Sequence, residues 1–365
     1  MTERVGEEIY SAQVNGVCWL LWWPEKEARQ DAKTPRAPKS GNVVELTTKG
    51  EFCVWPFRFH FVAAGPVLFP AGKAANVLRG AFGTIFRQLA CVPECREARS
   101  CEIAGECPYA LVFEPRQEWT EKMGPSGLAD WPRPFVFRAL HLDGVTVGAG
   151  ETFHFDVNLF EPPNKVLPYF VLAFRQLAEA GLGPMRGRAT LVRVEDLAGT
   201  DGREQPQVVF DGVRLHNQEL EGRRFALRGG EHEAVERLVV RFLTPTELKS
   251  GGELVDTPEF GVLLRRLRDR ISNLRVCYQG GALEVEFDEL GRAAEEVRIV
   301  RSDLKRVEAE RLSSRTGQRH SLGGFVGEVE YVGELAAFLP YLRVGEWVGV
   351  GRQSVWGKGC LEVHC

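Results

Sequence analysis

From Phe52 to Val62 the chain alternates residue by residue, with Cys53, Trp55, Phe57, Phe59 and Phe61 pointing one way and Arg58 and His60 the other. Successive strand side chains face opposite sides of a sheet, so this is a strand with one apolar face to bury and one polar face left open. Pro56 hints at an edge or a bulge. After Gly72 the period changes. Val77, Leu78, Ala81, Ile85, Phe86 and Leu89 follow helical spacing and predict a helix over Ala74–Ala90. A half-covered strand followed by an amphipathic helix commits the chain to a sheet with helices on one face.

The same theme continues. A second alternating strand spans Glu151–Leu159, with Phe153, Phe155, Val157 and Leu159 opposed to His154, Asp156 and Asn158. A helix over Leu167–Ala180 ends at Gly181, where a left-handed cap is wanted, and leads into a strand at Ala189–Glu195. The charged, glycine-containing stretch Glu221–Glu233 reads as a boundary. Beyond it come a strand at Arg237–Leu243, a helix at Pro258–Leu274, strands near Val297 and at Phe325–Val332, a helix at Glu334–Leu342 and a strand ending at His364. The order is β-α-β-β-α-β, the ferredoxin-like arrangement. The predicted fold is therefore α+β, with two tandem ferredoxin-like domains at residues 50–225 and 234–365 and a cysteine-bearing insertion in the first. Residues 1–49 form an N-terminal segment and linker, whose part PEKEARQDAKTPRAPKSG has no apolar period.

The chain's 365 residues suffice for two domains, and 44% hydrophobic with 26% charged residues is ordinary globular composition. A formal net charge of -4 leaves nucleic-acid binding open, because binding needs a local basic face rather than a basic total. The apolar run Gly16–Trp23 stops at Pro24, far short of a membrane span, and no signal peptide is expected. Nine cysteines, four of them clustered, fit a reducing cytoplasm better than a secreted disulfide framework.

The most informative segment is the ending GEWVGVGRQSVWGKGCLEVHC. Gly349, Gly351, Gly357 and Gly359 allow positive φ and close backbone approach, while Arg352 and Lys358 place cations beside the exposed N–H groups. That combination suits an RNA phosphate backbone; an ordinary glycine-rich turn is the plainer reading. Neither a GxxxxGK[ST] loop nor a GxGxxG between strand and helix is present there.

This ending resembles the C-terminal glycine-rich signature of the repeat-associated (RAMP) superfamily, above all its CRISPR RNA-processing endoribonucleases. Gly323-Gly324-Phe325-Val326-Gly327-Glu328 and the helix Leu335–Leu342 with Pro340 are similar to that family. So are Leu78-Arg79-Gly80-Ala81-Phe82-Gly83, the Cys107-Pro108-Tyr109-Ala110 turn leading to Phe113-Glu114, Gly181-Leu182-Gly183-Pro184 and Thr244-Pro245-Thr246. The resemblance implies an endoribonuclease that holds CRISPR repeat RNA in a cleft and cleaves precursor crRNA without a metal. An internal 2′-hydroxyl attacks, leaving a 2′,3′-cyclic phosphate and a 5′-hydroxyl. It also implies a cytoplasmic monomer or homodimer, with CRISPR effector subunits as further partners. The alternative is a RAMP subunit that holds crRNA in an effector complex without cutting it.

Such chemistry needs a base, an acid and cations around phosphorus, and histidine carries protons near neutral pH. The family's acting histidine often sits in or just after the first helix, but Ala64–Ala90 contains none. The candidates are His60 on the open face of the first strand, His320 in the arginine-dense hairpin Arg311–His320, and Lys73 at the entry to the first helix. Arg79 either reaches RNA or pairs with a carboxylate such as Glu114. Arg311, Arg315 and Arg319 are phosphate-contacting candidates, and Trp356 is a candidate for stacking on a base.

Cys91, Cys95, Cys101 and Cys107 are separated by three, five and five residues. Four thiolates can close a tetrahedral shell around a structural zinc that staples an insertion lacking its own core, with an iron–sulfur cluster behind it. Unliganded thiols are the plain reading. A cysteine-based redox enzyme ranks far behind, and no GxSxG elbow supports a serine hydrolase.

Overall fold

The strand expected from Phe52 forms as β1 (Glu51–Ala63), with Phe57, Phe59 and Phe61 buried along one side and Arg58 and His60 partly open on the other. The computed structural model describes residues 13–14, 17–18, 50–92, 95, 101–115, 131–199, 205–216, 219–227, 234–312 and 319–365. The chain divides into Met1–Val44, in which Gln13–Val14 pairs with Val17–Cys18, and Glu45–Cys365. No helix among the described residues is long and apolar enough to cross a membrane.

After β1 come α1 (Ala74–Ala90), α2 (Pro108–Phe113), β2 (Phe135–Arg138), β3 (Thr152–Leu159), α3 (Leu167–Ala180) and β4 (Ala189–Asp196). The sheet order is β2-β3-β1-β4, antiparallel throughout, with β5 (Gln207–Phe210) added outside β4. This is the ferredoxin-like topology. Three strands of this sheet stand where none was expected, β5 among them. In β2, Phe135, Val136 and Phe137 are all buried, so no alternation shows in the sequence. The segment read as a boundary contains β6 (Arg223–Ala226), which returns to pair with residues 51–54 of β1.

The helices cover the apolar face of this sheet through an aromatic core. Phe82 of α1 lies 4.5 Å from Phe170 and 5.0 Å from Phe174 of α3, and edge-on to Phe135 and Phe137 of β2. At the next residue, Gly83 leaves room for Phe113, whose Cζ would stand 2.2 Å from an added Cβ.

The second lobe consists of β7 (Arg237–Thr246), α4 (Phe260–Tyr278), α5 (Phe287–Glu295), β8 (Arg298–Val307), β9 (Glu310–Leu312), β10 (Arg319–Ser321), β11 (Gly324–Val332), α6 (Leu339–Val348) and β12 (Leu361–His364). Its sheet order, β8-β11-β7-β12, repeats the topology of the first. The helix expected at Glu334–Leu342 is displaced: Ala336–Phe338 is a 3₁₀ turn and α6 begins at Leu339. Pro340 explains the shift, because proline is at home in the first turn of a helix, where its missing N–H costs nothing.

The lobes are fused by the end of α4. The Gln279 side chain accepts from the Cys53 amide at 2.9 Å and donates to the Cys53 and Phe160 carbonyls at 2.7 and 2.8 Å. Phe52, Val54, Val136 and Phe160 of the first lobe join the core formed by Leu267, Ile271 and Leu274 of α4. Phe82→Ala removes the ring shared by both helices and the sheet. We expect it to lower unfolding free energy by about 3–5 kcal/mol in denaturant titration.

Candidate functional site

The C-terminus of α6 organises the surface between the lobes. Its last carbonyls have no partner within the helix. Arg138 donates to Glu346 and Trp347, both at 2.9 Å, Asn158 donates to Trp347 at 3.0 Å, and Arg270 donates to Val348 at 2.9 Å. Two of these side chains come from the first lobe and two of them carry the positive charge that a helix C-terminus favours.

The glycine-rich loop leaves this helix end, and Gly349, Gly351, Gly357 and Gly359 all have positive φ, between 66° and 78°. The conformational freedom expected from the sequence is used, but the close approach is to the protein itself. A Cβ at Gly357 would stand 2.4 Å from Ala75 of α1, and one at Gly359 would stand 1.8 Å from the Val350 carbonyl. The bulged Thr244-Pro245-Thr246 end of β7 holds the loop from below. The Gly359 amide donates to the Pro245 carbonyl at 3.2 Å and the Cys360 amide to Thr244 Oγ1 at 2.9 Å.

Several expected contacts take internal roles. Lys358 is 4% exposed and its Nζ donates to the Gly72 carbonyl at 3.0 Å, tying the loop to the entrance of α1 in place of an exposed phosphate contact. Arg79, 8% exposed, lies with its guanidinium 4.4 Å from the Phe113 ring and 5.2 Å from that of Trp356. It packs under the loop rather than reaching out of it, and it covers one face of the indole offered for base stacking. Arg352 stays exposed and pairs with Glu247 at 2.5 Å.

Between the lobes, above this loop, lies a cleft of about 360 Å³. Arg138, His141, Asp143 and Asp156 line it from the first lobe, and Thr244 and Lys358 from the second. The polar face of the first sheet feeds into it: Arg58 grips Asp156 at 2.8 and 2.9 Å, and His60 Nε2 meets Glu195 at 2.6 Å. His60 does not itself line the cleft, and its Nε2 is engaged by that carboxylate. Arg138 Nη1 is buried without a hydrogen-bond partner among the described residues.

His141 is the residue that sequence reasoning missed. Its ring stacks on His154 at 4.5 Å, and its Nε2 lies 2.8 Å from the His154 main-chain carbonyl. A carbonyl oxygen only accepts, so Nε2 carries the proton and, in the neutral ring, Nδ1 keeps the basic lone pair. Asp143, two residues on, accepts from the Ala74 amide at 2.8 Å and so caps α1. Burial pushes its carboxyl up, against the pull of that amide and of Lys358. Burial also lowers the Lys358 ammonium. Lys73 stands at the N-cap of α1, next in sequence to Gly72, which lines the cleft.

His320 belongs to β10, paired with Arg311 of β9, and Gln353 of the glycine-rich loop donates to the Ser321 carbonyl at 2.6 Å. The hairpin is thus rooted at the loop. Arg315 lies outside the described residues, as do the side chains of Arg311, Arg319 and His320.

The four cysteines run thiol to thiol, with Cys91 hydrogen-bonded to Cys107 and Cys95, and Cys95 to Cys101. Burial and the neighbouring thiols push Cys91 up to about 12. No three or more of His, Cys, Asp and Glu among the described residues close around a common point as a metal cage. The donors expected for zinc are adjacent, in a string rather than a shell.

Two ferredoxin-like lobes joined beneath a glycine-rich C-terminal loop are the arrangement that the resemblance to the RAMP superfamily implies. Residues 240–361 match the family model described as CRISPR-associated endoribonuclease Cas6, and residues 52–221 match AF_1859_N, described as an N-terminal domain. Residues 240–361 of the chain are thus similar to the Cas6 family of CRISPR-associated endoribonucleases. No curated protein matches it. Among solved structures it is similar to a Cas6 of Thermus thermophilus, with 15% identity, 86% of this chain and 99% of that one covered, and a TM-score of 0.48. It is also similar to the product of a Cas6-related gene from Pyrococcus furiosus, with 10% identity, 85% and 98% covered, and a TM-score of 0.40. A partial Cas6-RT-Cas1–Cas2 complex matches with 11% identity, 86% of this chain and 46% of that one covered, and a TM-score of 0.49.

The stacked histidines make stability depend on pH. Burial, then the Arg58 charge, lower the pKa of His154 from its ordinary 6.5, so the fold disfavours its proton. Its contribution is intact above about pH 6.5 and is lost as the pH falls below that value. The melting temperature should fall between pH 7.5 and pH 5, and by less in His154→Gln.

Proposed function

We propose that this chain cuts CRISPR repeat RNA in the cleft between its lobes without a metal, by attack of a 2′-hydroxyl on the adjacent phosphate. The observation that carries this reading is His141, whose Nε2–H is committed to the His154 carbonyl on a ring that lines a cation-bearing cleft. Nδ1 takes the proton of the 2′-hydroxyl. O2′ bonds to phosphorus, the P–O5′ bond breaks, and the departing O5′ takes up a proton, giving a 2′,3′-cyclic phosphate and a 5′-hydroxyl. Arg138 Nη1 and Lys73 supply positive charge where the phosphorane forms. His60, held by Glu195 outside the cleft lining, gives way to His141 in this scheme, and His320 on the hairpin beside the loop is the second candidate for proton transfer.

The test is single-turnover cleavage of labelled repeat RNA in excess EDTA by the wild-type chain, His141→Ala, His320→Ala and His60→Ala. His141→Ala should slow cutting by on the order of 10²–10⁴-fold with RNA affinity retained. An unchanged rate removes it from the chemistry. A second reading, an RNA-holding subunit of a CRISPR effector complex that does not cut, is favoured by the lack of histidine in residues 64–90. Tight binding by the wild-type chain with no product would establish it.

For the insertion we propose a structural zinc drawn between Cys91, Cys95, Cys101 and Cys107, supported by the contact of each thiol with the next. Elemental analysis of the purified chain should find one zinc, absent from Cys91→Ser/Cys107→Ser, whose melting temperature should drop by several degrees. A metal-free wild-type chain of equal stability overturns it.

A further inference from the structure

On the other side of the glycine-rich loop lies a second cavity, of about 330 Å³, that the proposed chemistry does not use. Lys249, Arg266, Arg270 and Arg352 line it, with Glu247 and Asp269. The two carboxylates are already matched. Glu247 pairs with Arg352 at 2.5 Å, and Asp269 with Arg268 at 2.8 Å and with Arg266 at 3.9 Å. Arg266 donates its Nε to the Lys249 carbonyl at 2.8 Å, which holds the short Lys249–Ser250 strand against α4.

Arg270 is the exception. Its Nε holds the Val348 carbonyl, and the charge that acts on it is that of another arginine, Arg138. Burial, with that like charge behind it, lowers its pKa to about 10. A guanidinium taken from water without a carboxylate is costly, and the partial charge of a helix terminus offsets only part of the cost. An anion in the cavity would supply the rest. Bidentate contact between guanidinium and phosphate is the strongest fit for such a site.

The position indicates the source of the phosphate. Residues Thr244 and Pro245 and the loop residues Trp356–Lys358 line the first cleft; Glu247–Lys249 and Gly351–Arg352 line the second cavity. One loop separates the two, and a strand crossing that loop from the cleft arrives at Arg270. We infer that this cavity binds a backbone phosphate of the RNA strand whose neighbouring nucleotides occupy the cleft. The inference rests on the reading of the chain as an RNA-binding protein and names a second binding point along the same strand.

Two arms separate its failure from the failure of that reading. In the first, the probe is inorganic phosphate at constant ionic strength, read by thermal unfolding. Phosphate should raise the melting temperature of the wild-type chain and raise it less in Arg270→Gln and in Lys249→Ala, the latter an exposed position that leaves the core untouched. Equal shifts in all three overturn the anion site, whatever the chain does with RNA. In the second arm, the probe is uncleavable repeat RNA carrying a 2′-deoxy substitution at the cut, titrated at several salt concentrations. The slope of log K against log salt should shrink by about 0.7 for each phosphate that a variant no longer neutralises. Phosphate binding with an unchanged RNA slope overturns the assignment to the strand and leaves a small-anion site. A wild-type chain that binds no repeat RNA overturns the RNA reading while the first arm still decides the anion site.

Discussion

The contact on which the rest depends is the capping of α6. Arg138, Asn158 and Arg270, drawn from both lobes, meet at three consecutive carbonyls at the end of one helix. That meeting fixes the angle between the two sheets, sets the point at which the glycine-rich loop departs, and leaves a hollow on each side of it. Its energetics are those of charge-assisted hydrogen bonds in a partly desolvated place, stronger than the same bonds at the surface. The loop's own glycines then serve packing before they serve any ligand, since Gly357 rests on Ala75 and Gly359 on Val350.

The fold was legible where a single face is buried and illegible where both are. Strands β1 and β3 announced themselves through alternation, and α1 and α3 through helical spacing. Strand β2, covered on both sides, carries no period, and β6 is short and half exposed. The tandem order was visible because element order does not depend on register.

The site was harder to read, for a physical reason. His141 lies in the single 3₁₀ turn Leu140–Leu142, and nothing local distinguishes it from a solvated histidine; its role arises from His154, which reaches it only once β3 takes its place in the sheet. Arg138 was not singled out in the sequence, and its importance lies with carbonyls some two hundred residues later. Conversely, Lys358 promised exposed charge in the sequence, whereas Arg79 was left open between RNA and an internal partner; both are enclosed by neighbours whose positions the sequence does not reveal. Charge type is a local property, whereas exposure is a property of the assembled chain.

The seating of Gly357 on Ala75 bears on how a ligand enters. A loop whose backbone rests against a helix, with its lysine tied to the turn before that helix, has no slack to swing as a lid. An incoming strand meets a surface already in its final shape and loses little affinity to ordering the protein around it. Under the proposed function, discrimination among RNA strands then falls to the strand's own readiness to bend, which favours a repeat already curved or hairpinned in solution over an extended one.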